Sequence, residues 1–307
     1  MLDKLELLLN LARERHFGRA AEAAGVTQPT LSSAVKSLEE QFGVMIVVRG
    51  SRFQGFTPEG ERILEWSRRL VTDARTMRQE VAALRQGLTG TLRLAVIPTA
   101  LPFVAEITGP ICGRHERVGF TVLSMTSDQI LKSIEDFEVE AGITYLDAGV
   151  AARFAAVPLY EERYSLLVAP GGPLADRASV SWAEAGAMPL CLLTPDMQHR
   201  RLVERHLGQA GAAVAPRIES NSMIVLHTHV RTGRFASIMP ARFAESMDRS
   251  GLMQAIPITE PTVSHAIGLV TTRREPQAPL VAALIAEARR HADPAPDPAA
   301  AARPGAA

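Results

Sequence analysis

Apolar positions along the first forty residues recur at helical spacing. Leu5, Leu8, Leu9 and Ala12 form one stripe, and Leu31, Val35 and Leu38 form another. A short helix from about Phe17 to Ala24 lies between them, closed by Gly25, since glycine tolerates a left-handed backbone. Thr27 is placed to cap the next helix, and Pro29 falls in its first turn, where a missing N–H costs nothing. In VMIVVRGSRFQGFTPEG (44–60) the pattern shortens: Ile46 to Val48 read as a strand, Gly50 and Gly55 bracket a turn, and Thr57-Pro58-Glu59 restarts a helix. That is a two-stranded wing behind a three-helix unit. The helix that follows, about 58–88, carries Leu70, Ala74, Met77, Val81 and Leu84 in 4-3-4-3 steps, with Ile63 one heptad earlier. This spacing predicts a coiled-coil seam about 45 Å long.

From Thr91 the pattern changes to strands alternating with helices. LRLAVI (92–97), FTVLSM (120–125), AGITY (141–145), YSLLVA (164–169), PLCLL (189–193), PRIES (216–220), FASIMP (235–240) and HAIGLVTT (265–272) read as strands. PFVAEI, SDQILKSIEDF, HRRLVERHLGQAG and SMIVLHTHVRTG read as helices between them, which argues for parallel α/β units. The tail ADPAPDPAAAARPGAA has few large apolar residues and is expected to be disordered. The fold class is therefore α/β with an all-α, winged N-terminal part, divided at 1–58, 59–90, 91–292 and 293–307.

The 307 residues are 47% hydrophobic and 21% charged, enough apolar material for more than one core. Thirty-three basic residues balance thirty-three acidic ones, which excludes a blanket of positive charge but leaves room for a local reading surface. Cys112 and Cys191 are far apart in sequence and read as two buried thiols in a reducing compartment. The first apolar run is broken by Asp3, Lys4 and Glu6, unlike a signal peptide, and no run is long enough to span a membrane, so a cytoplasmic location is expected.

A short helix, a glycine turn and a capped second helix are the layout of a helix-turn-helix. Ala20, Ala21 and Ala24 would let the two helices approach closely. Opposite the apolar stripe, the third helix presents Gln28, Pro29, Ser32, Ser33 and Lys36, with Thr27 and Thr30 at its start. Glutamine can read adenine, serine can bond to base or phosphate, and proline can touch a thymine methyl. Lys36 is placed for phosphate, and Arg49 and Arg52 of the wing for the backbone or minor groove.

FGRAAEAAGVTQPTLSSAVKSLEEQFGVMIVVR followed by FTPEGERIL resembles the N-terminal signature of LysR-type transcriptional regulators. GITY near 142, SLLVAP near 165 and VRTGRFASIMP near 230 resemble their effector domain more loosely. The resemblance implies a winged helix-turn-helix, a linker helix for dimerisation, and a periplasmic-binding-protein-like effector domain of two α/β lobes. It also implies a tetramer built as a dimer of dimers, with promoter DNA and a small-molecule effector as partners. Gln28, Pro29, Ser32 and Arg49 match the family's DNA-contacting positions. Ser33-Ala34 stands where many members carry a longer polar or basic pair, and Val48 replaces a common acidic residue.

Three strand-to-helix junctions carry hydroxyl or amide groups: IPTALP with Thr99 and Ala100, LLTPDMQ with Thr194, and ESNSM with Ser220, Asn221 and Ser222. Thr126 and Ser127 stand at another helix start, and Thr144-Tyr145 at the end of a strand. Free N–H groups at helix starts bind anions, and ligands of open α/β sheets gather at the strands' carboxyl ends. These positions correspond to the family's inducer cleft and predict a small anion, most simply a carboxylate. The effector half resembles regulators associated with one-carbon metabolism, including formate oxidation.

Ser33-x-x-Lys36 fits a serine acyl-enzyme motif, but the S-D-N and K-T-G elements of that chemistry are missing. His227 and His229, and His199 with His206, lack Cys or acidic partners at ligand spacing, so no metal is expected; His199 and His206 read as one solvated helix face. Neither a Walker loop nor G-x-G-x-x-G occurs, and neither an enzyme nor a bound cofactor is expected. The alternative is a cytoplasmic small-molecule-binding protein without DNA-directed regulation, which would leave the first ninety residues idle.

Overall fold

The computed structural model describes residues 1–48, 50, 53–248, 251 and 253–292. Arg49, Arg52 and the 293–307 tail lie outside the described residues. The chain divides into two compact units, one built mainly from Met1–Gly87 and the other running from Leu88 onward.

The first unit holds α1 (Leu2–Glu14), α2 (Phe17–Ala23), α3 (Gln28–Phe42) and α4 (Pro58–Gln86). Leu5, Leu8 and Leu11 of α1, Ala20 and Ala21 of α2, and Leu31, Val35 and Leu38 of α3 form one core with Ile46, Leu64 and Val71. Ala20 and Ala21 are buried, as close helix approach requires. Gly25 takes φ +66° and turns the chain between α2 and α3. The wing is slighter than its sequence suggests: among the described residues it makes a single antiparallel bridge, Val47 to Phe56. Its base is held by Glu39, whose Oε1 accepts from the Ile46 and Val47 amides at 2.8 and 3.2 Å.

Helix α4 carries two stripes. Gly60, Leu64, Ser67 and Val71 face inward and are buried. The seam residues Leu70, Met77, Val81 and Leu84 stay exposed, Leu84 at 89%, so this unit does not use them for its own core. Thr57 starts α4 by accepting from the Gly60 amide at 2.9 Å while donating to the Met45 carbonyl at 2.5 Å.

The second unit begins with β1 (Gly90–Val96), a 3₁₀ turn (Pro98–Ala100), α5 (Leu101–Arg114), β2 (Val118–Ser124), α6 (Ser127–Glu135), β3 (Ala141–Tyr145), α7 (Ala148–Arg153) and β4 (Ala155–Glu162). It continues through β5 (Tyr164–Val168), β6 (Val180–Ser181), α8 (Trp182–Gly186), β7 (Cys191–Leu193), α9 (Gln198–Gln209), β8 (Ile218–Ser220), α10 (Met223–Val230), β9 (Ser237–Pro240), α11 (Ala241–Asp248) and β10 (Gln254–Glu260). It ends with β11 (His265–Thr271) and α12 (Pro279–His291).

One sheet runs β2-β1-β3-β11-β4 and another β6-β10-β5-β9. The pair β7-β8 joins the second through the Cys191 amide, which donates to the Ala236 carbonyl at 2.9 Å. Each sheet is the centre of a lobe. The chain passes from the first to the second at Glu162–Tyr164 and returns between Glu260 and His265. The expected parallel alternation holds for β1, β2 and β3, but β11 is antiparallel to both β3 and β4. The reason is topological: β11 re-enters the first sheet from the other lobe rather than through a helical crossover. Strands β4, β6 and β10 are additional to those the alternation marks.

Gly60 is the tightest point of the first unit, because a Cβ there would stand 2.1 Å from the Ile46 carbonyl oxygen. Gly60→Ala is expected to force the start of α4 off the wing, destabilising the unit by roughly 1–3 kcal/mol in chemical denaturation. An unchanged unfolding midpoint would show that this contact carries no strain.

Candidate DNA-reading face and effector cleft

Helix α3 separates its two faces cleanly. Leu31, Ala34, Val35 and Leu38 are buried, whereas Gln28, Pro29, Thr30, Ser32, Ser33 and Lys36 are exposed along one side. Ala34 therefore belongs to the core and leaves the reading face to its neighbours. Thr27 caps the helix: its Oγ1 accepts from the Thr30 amide at 3.4 Å and lies 2.9 Å from the Thr30 hydroxyl. Gln28, with no such duty, reaches back beside Gly18 of α2. Lys36 meets only Glu40 at 3.9 Å, with both side chains largely in water, an arrangement that leaves its charge available.

In the second unit the predicted effector residues fall into distinct groups. Thr99 and Ala100 form the buried 3₁₀ turn after β1. Thr144 and Tyr145 are both buried at the end of β3, but strand alternation points them to opposite faces of the sheet. The Gly142/Thr144 face is the one covered by α6, since a side chain at Gly142 would strike Ile130 and Ile134. Thr144 thus shares a face with Ser127 of α6, while Tyr145 lies beside Thr99. Thr126 is occupied as an N-cap, in a reciprocal pair of hydrogen bonds with Gln129. Thr194 and Ser220 adjoin across the β7-β8 edge, where the Thr194 amide donates to the Ser220 carbonyl at 3.2 Å. The Ser220 hydroxyl serves its own turn by accepting from the Ser222 amide at 3.1 Å. Ser222 precedes α10 without a side-chain cap, and Asn221 is exposed.

Three of these hydroxyls, on Ser127, Thr144 and Thr194, are buried and meet no hydrogen-bond partner among the described residues, while that of Thr99 lies against the Tyr145 phenol. A buried hydroxyl without a hydrogen bond is costly, so these three, at the start of α6, on β3 and after β7, are candidates for a polar partner. The first turn of α6 faces that of α9, for Arg201 Nη2 lies 3.3 Å from Asp128 Oδ2. Helix α9 begins without a side-chain cap, leaving its first amides to outside acceptors.

Beside this region lies a cluster that the sequence did not announce. Glu162, at the end of β4, has a fully buried side chain, and its Oε1 accepts from the Tyr145 phenol. His199 and His206 of α9 are buried rather than solvated. The His199 ring packs on Tyr164 at 5.6 Å, and His206 Nε2 lies 3.1 Å from His265 Nε2. Trp182 stacks on both Tyr164 and His206. The rings belong to α8, α9, β5 and β11, so the cluster fills the double crossing between lobes. The one available signal was a charged EER in the otherwise apolar run AVPLYEERYSLLVA. Burial pushes Tyr145 well above its ordinary range, with the charge of Glu162 adding to it. Burial likewise holds His206 and His265 below the ordinary 6.5, and for His265 the neighbouring His206 adds to the shift.

Cys112 is exposed, against expectation, and Cys191 is buried. The Cys191 thiol faces the Leu226 and Ala236 carbonyls, and burial pushes it up to about 11. Among the described residues no group of three or more His, Cys, Asp or Glu side chains is arranged to hold a metal.

The lowered histidines carry a sign. The fold favours their neutral forms, so their contribution to stability is present above 6.5 and is lost as pH falls through the folded values. The unfolding temperature of the second unit is expected to drop below about pH 6.5, and His265→Gln to flatten that slope. Parallel wild-type and variant curves would remove the pair from this role.

The first unit matches the model of the bacterial regulatory helix-turn-helix protein, lysR family, over residues 2–61. Residues 85–293 match the LysR substrate binding domain. The hydrogen peroxide-inducible genes activator of Pectobacterium carotovorum subsp. carotovorum is 27% identical over 268 residues, 87% of this chain and 88% of that one. A cysteine-substituted full-length OxyR from Pseudomonas aeruginosa shares the fold at TM-score 0.73 and 24% identity, over 94% of this chain and 97% of that one. Full-length CbnR complexed with its target DNA does so at 0.63 and 20%, over 95% and 100%. No helix among the described residues is long and apolar enough to cross a membrane. With both family models matched and the reading helix and two-lobed unit in place, the chain belongs to the LysR family of DNA-binding transcriptional regulators.

Proposed function

We propose that this regulator reads promoter DNA with the exposed side of α3 and answers to a small carboxylate held between the lobes of its second unit. The observation that carries the effector reading is the set of three unpartnered, buried hydroxyls, on Ser127, Thr144 and Thr194, with two facing helix starts. Hydroxyls and free amides are donors, and a small oxyanion accepts from several at once. Binding that draws α6 and α9 together shifts the balance between lobe arrangements only by its difference in affinity for them. Formate, the smallest carboxylate, is the first probe.

The exposed seam of α4 supports assembly as a homodimer, and two such dimers as a tetramer. Below the seam, Met1, Leu5, Phe42, Ile63, Trp66 and Leu70 line an apolar hollow of ≈ 530 Å³ in the first unit. An exposed stripe beside such a hollow is the surface a second α4 would cover.

The name of the Pectobacterium relative suggests peroxide sensing, and the buried Cys191 thiol does not favour it. Burial holds the Cys191 thiol in its protonated form, and the thiolate is the reactive one.

Gln28→Ala is expected to weaken binding to the operator by roughly 1–3 kcal/mol while relaxing base preference. Lys36→Ala should weaken specific and random DNA alike and reduce the salt slope by about 1. Equal effects of both on the two kinds of DNA, measured by titration, would contradict the division of roles. For the effector, a thermal shift with sodium formate or acetate is expected in the wild type and a smaller one in Thr99→Val. No shift or heat of binding with any small carboxylate would end the anion reading.

A further inference from the structure

We infer that the effector site takes its carboxylate together with a proton, and that the proton resides on the pair Glu162–His199. The inference rests on reading the cleft as a carboxylate site. The Glu162 side chain is completely buried; Oε1 accepts from Tyr145, and Oε2 meets no donor in the chain. His199 Nε2 stands 3.1 Å from the Ile238 carbonyl. A carbonyl only accepts, so Nε2 carries hydrogen. The other ring nitrogen, Nδ1, faces the Tyr145 oxygen at 3.4 Å and Glu162 Oε1 at 3.5 Å.

With Nε2–H fixed, a neutral His199 turns a bare lone pair toward a carboxylate oxygen. One added proton removes the conflict. On Nδ1 it completes a buried ion pair; on the carboxyl it cancels the negative charge. Either way the pair offers one proton position shared by two residues.

The groups around the pair do not supply that proton. Tyr164 of β5, whose ring lies on His199, is driven up by burial and then by Glu162, so it stays neutral. His265 of β11, opposite Glu162 in register, is held neutral by burial and engages His206. Arg205 of α9 adds positive charge at longer range, Glu161 of β4 adds negative charge, and Tyr160 of β4 is neutral beneath Arg242 of α11.

The pair adjoins the proposed site. The Thr99 hydroxyl lies against the Tyr145 phenol, whose proton Glu162 accepts. A carboxylate at Thr99 therefore brings a second negative charge next to Glu162 in a dry setting. Like charges in such a setting raise each other's proton affinity. Anion entry then draws a proton onto the pair, and the net charge of the site is unchanged by binding. Glu162 and His199 become binding residues by this route, and effector affinity becomes a function of pH.

The test is calorimetry of the full-length protein with sodium formate and sodium acetate between pH 6.5 and 8.5, in HEPES and in Tris. Both acids stay ionised across this range. The expected result is proton uptake approaching one per acid bound, read from the difference between buffers. Affinity should tighten by up to about tenfold for each unit of pH lost. Glu162→Gln is expected to keep binding but lose the uptake and the pH slope, while His265→Gln keeps both.

Binding with equal heats in the two buffers and a flat pH profile overturns the inference and leaves the carboxylate reading intact. Uptake that vanishes in His265→Gln also overturns it, moving the proton to the His206–His265 pair. No binding of either acid at any pH overturns the carboxylate reading and this inference with it. Should Glu162→Gln fail to fold, the wild-type buffer comparison and His265→Gln decide alone.

Discussion

A carboxylate removed from water has to be paired, and in the second unit Glu162 is such a group at the point where the chain leaves one sheet for the other. Tyr145 approaches it from β3 and His199 from α9, so its partners come from both lobes. The relation of the lobes is thereby tied to how one buried charge is satisfied. Apolar packing alone would let the sheets slide on their connections. The double crossing filled by Trp182, Tyr164, His206 and His265 restricts them, because rings of this size pack in few ways.

The same logic separates the hydroxyls that hold structure from those left without an internal partner. Thr27, Thr57 and Thr126 spend their oxygen atoms on helix caps, and Ser220 on a turn. Ser127, Thr144 and Thr194 have the same chemistry and no partner among the described residues. Hydroxyl-rich junctions are thus of two kinds, and only the hydrogen-bond accounting tells them apart. In the first unit the division runs between helix faces. Helix α4 buries Leu64 and Val71 in the core of its own unit while leaving Leu70, Val81 and Leu84 exposed, so a single helix carries two apolar stripes.

The first unit was largely legible because its determinants are local. Ala20 and Ala21, Gly25, the Thr27 cap and the stripe of Leu31, Val35 and Leu38 each act within a few residues of sequence, and each occupies the place its chemistry suggested. Ala34 was the exception on the reading helix: position in the heptad, rather than residue size, sends it inward. The wing's two arms meet where the pattern placed them, in the antiparallel bridge between Val47 and Phe56.

The second unit was legible as alternating strands and helices, and its junctions as candidate anion contacts, because strand ends and helix starts are also local features. What only the tertiary structure decided was pairing across long separations. The antiparallel entry of β11, the opposite facing of Thr144 and Tyr145, and the meeting of residues 145, 162, 199 and 265 depend on where the chain crosses between lobes. Histidines at 199 and 206 look solvated in sequence because seven-residue spacing fixes a helix face but not what covers it. By itself the sequence determined which segments become helices and strands and which face of α3 stays exposed. The fold decided which buried polar groups find partners, since that is settled by contacts between residues dozens of positions apart.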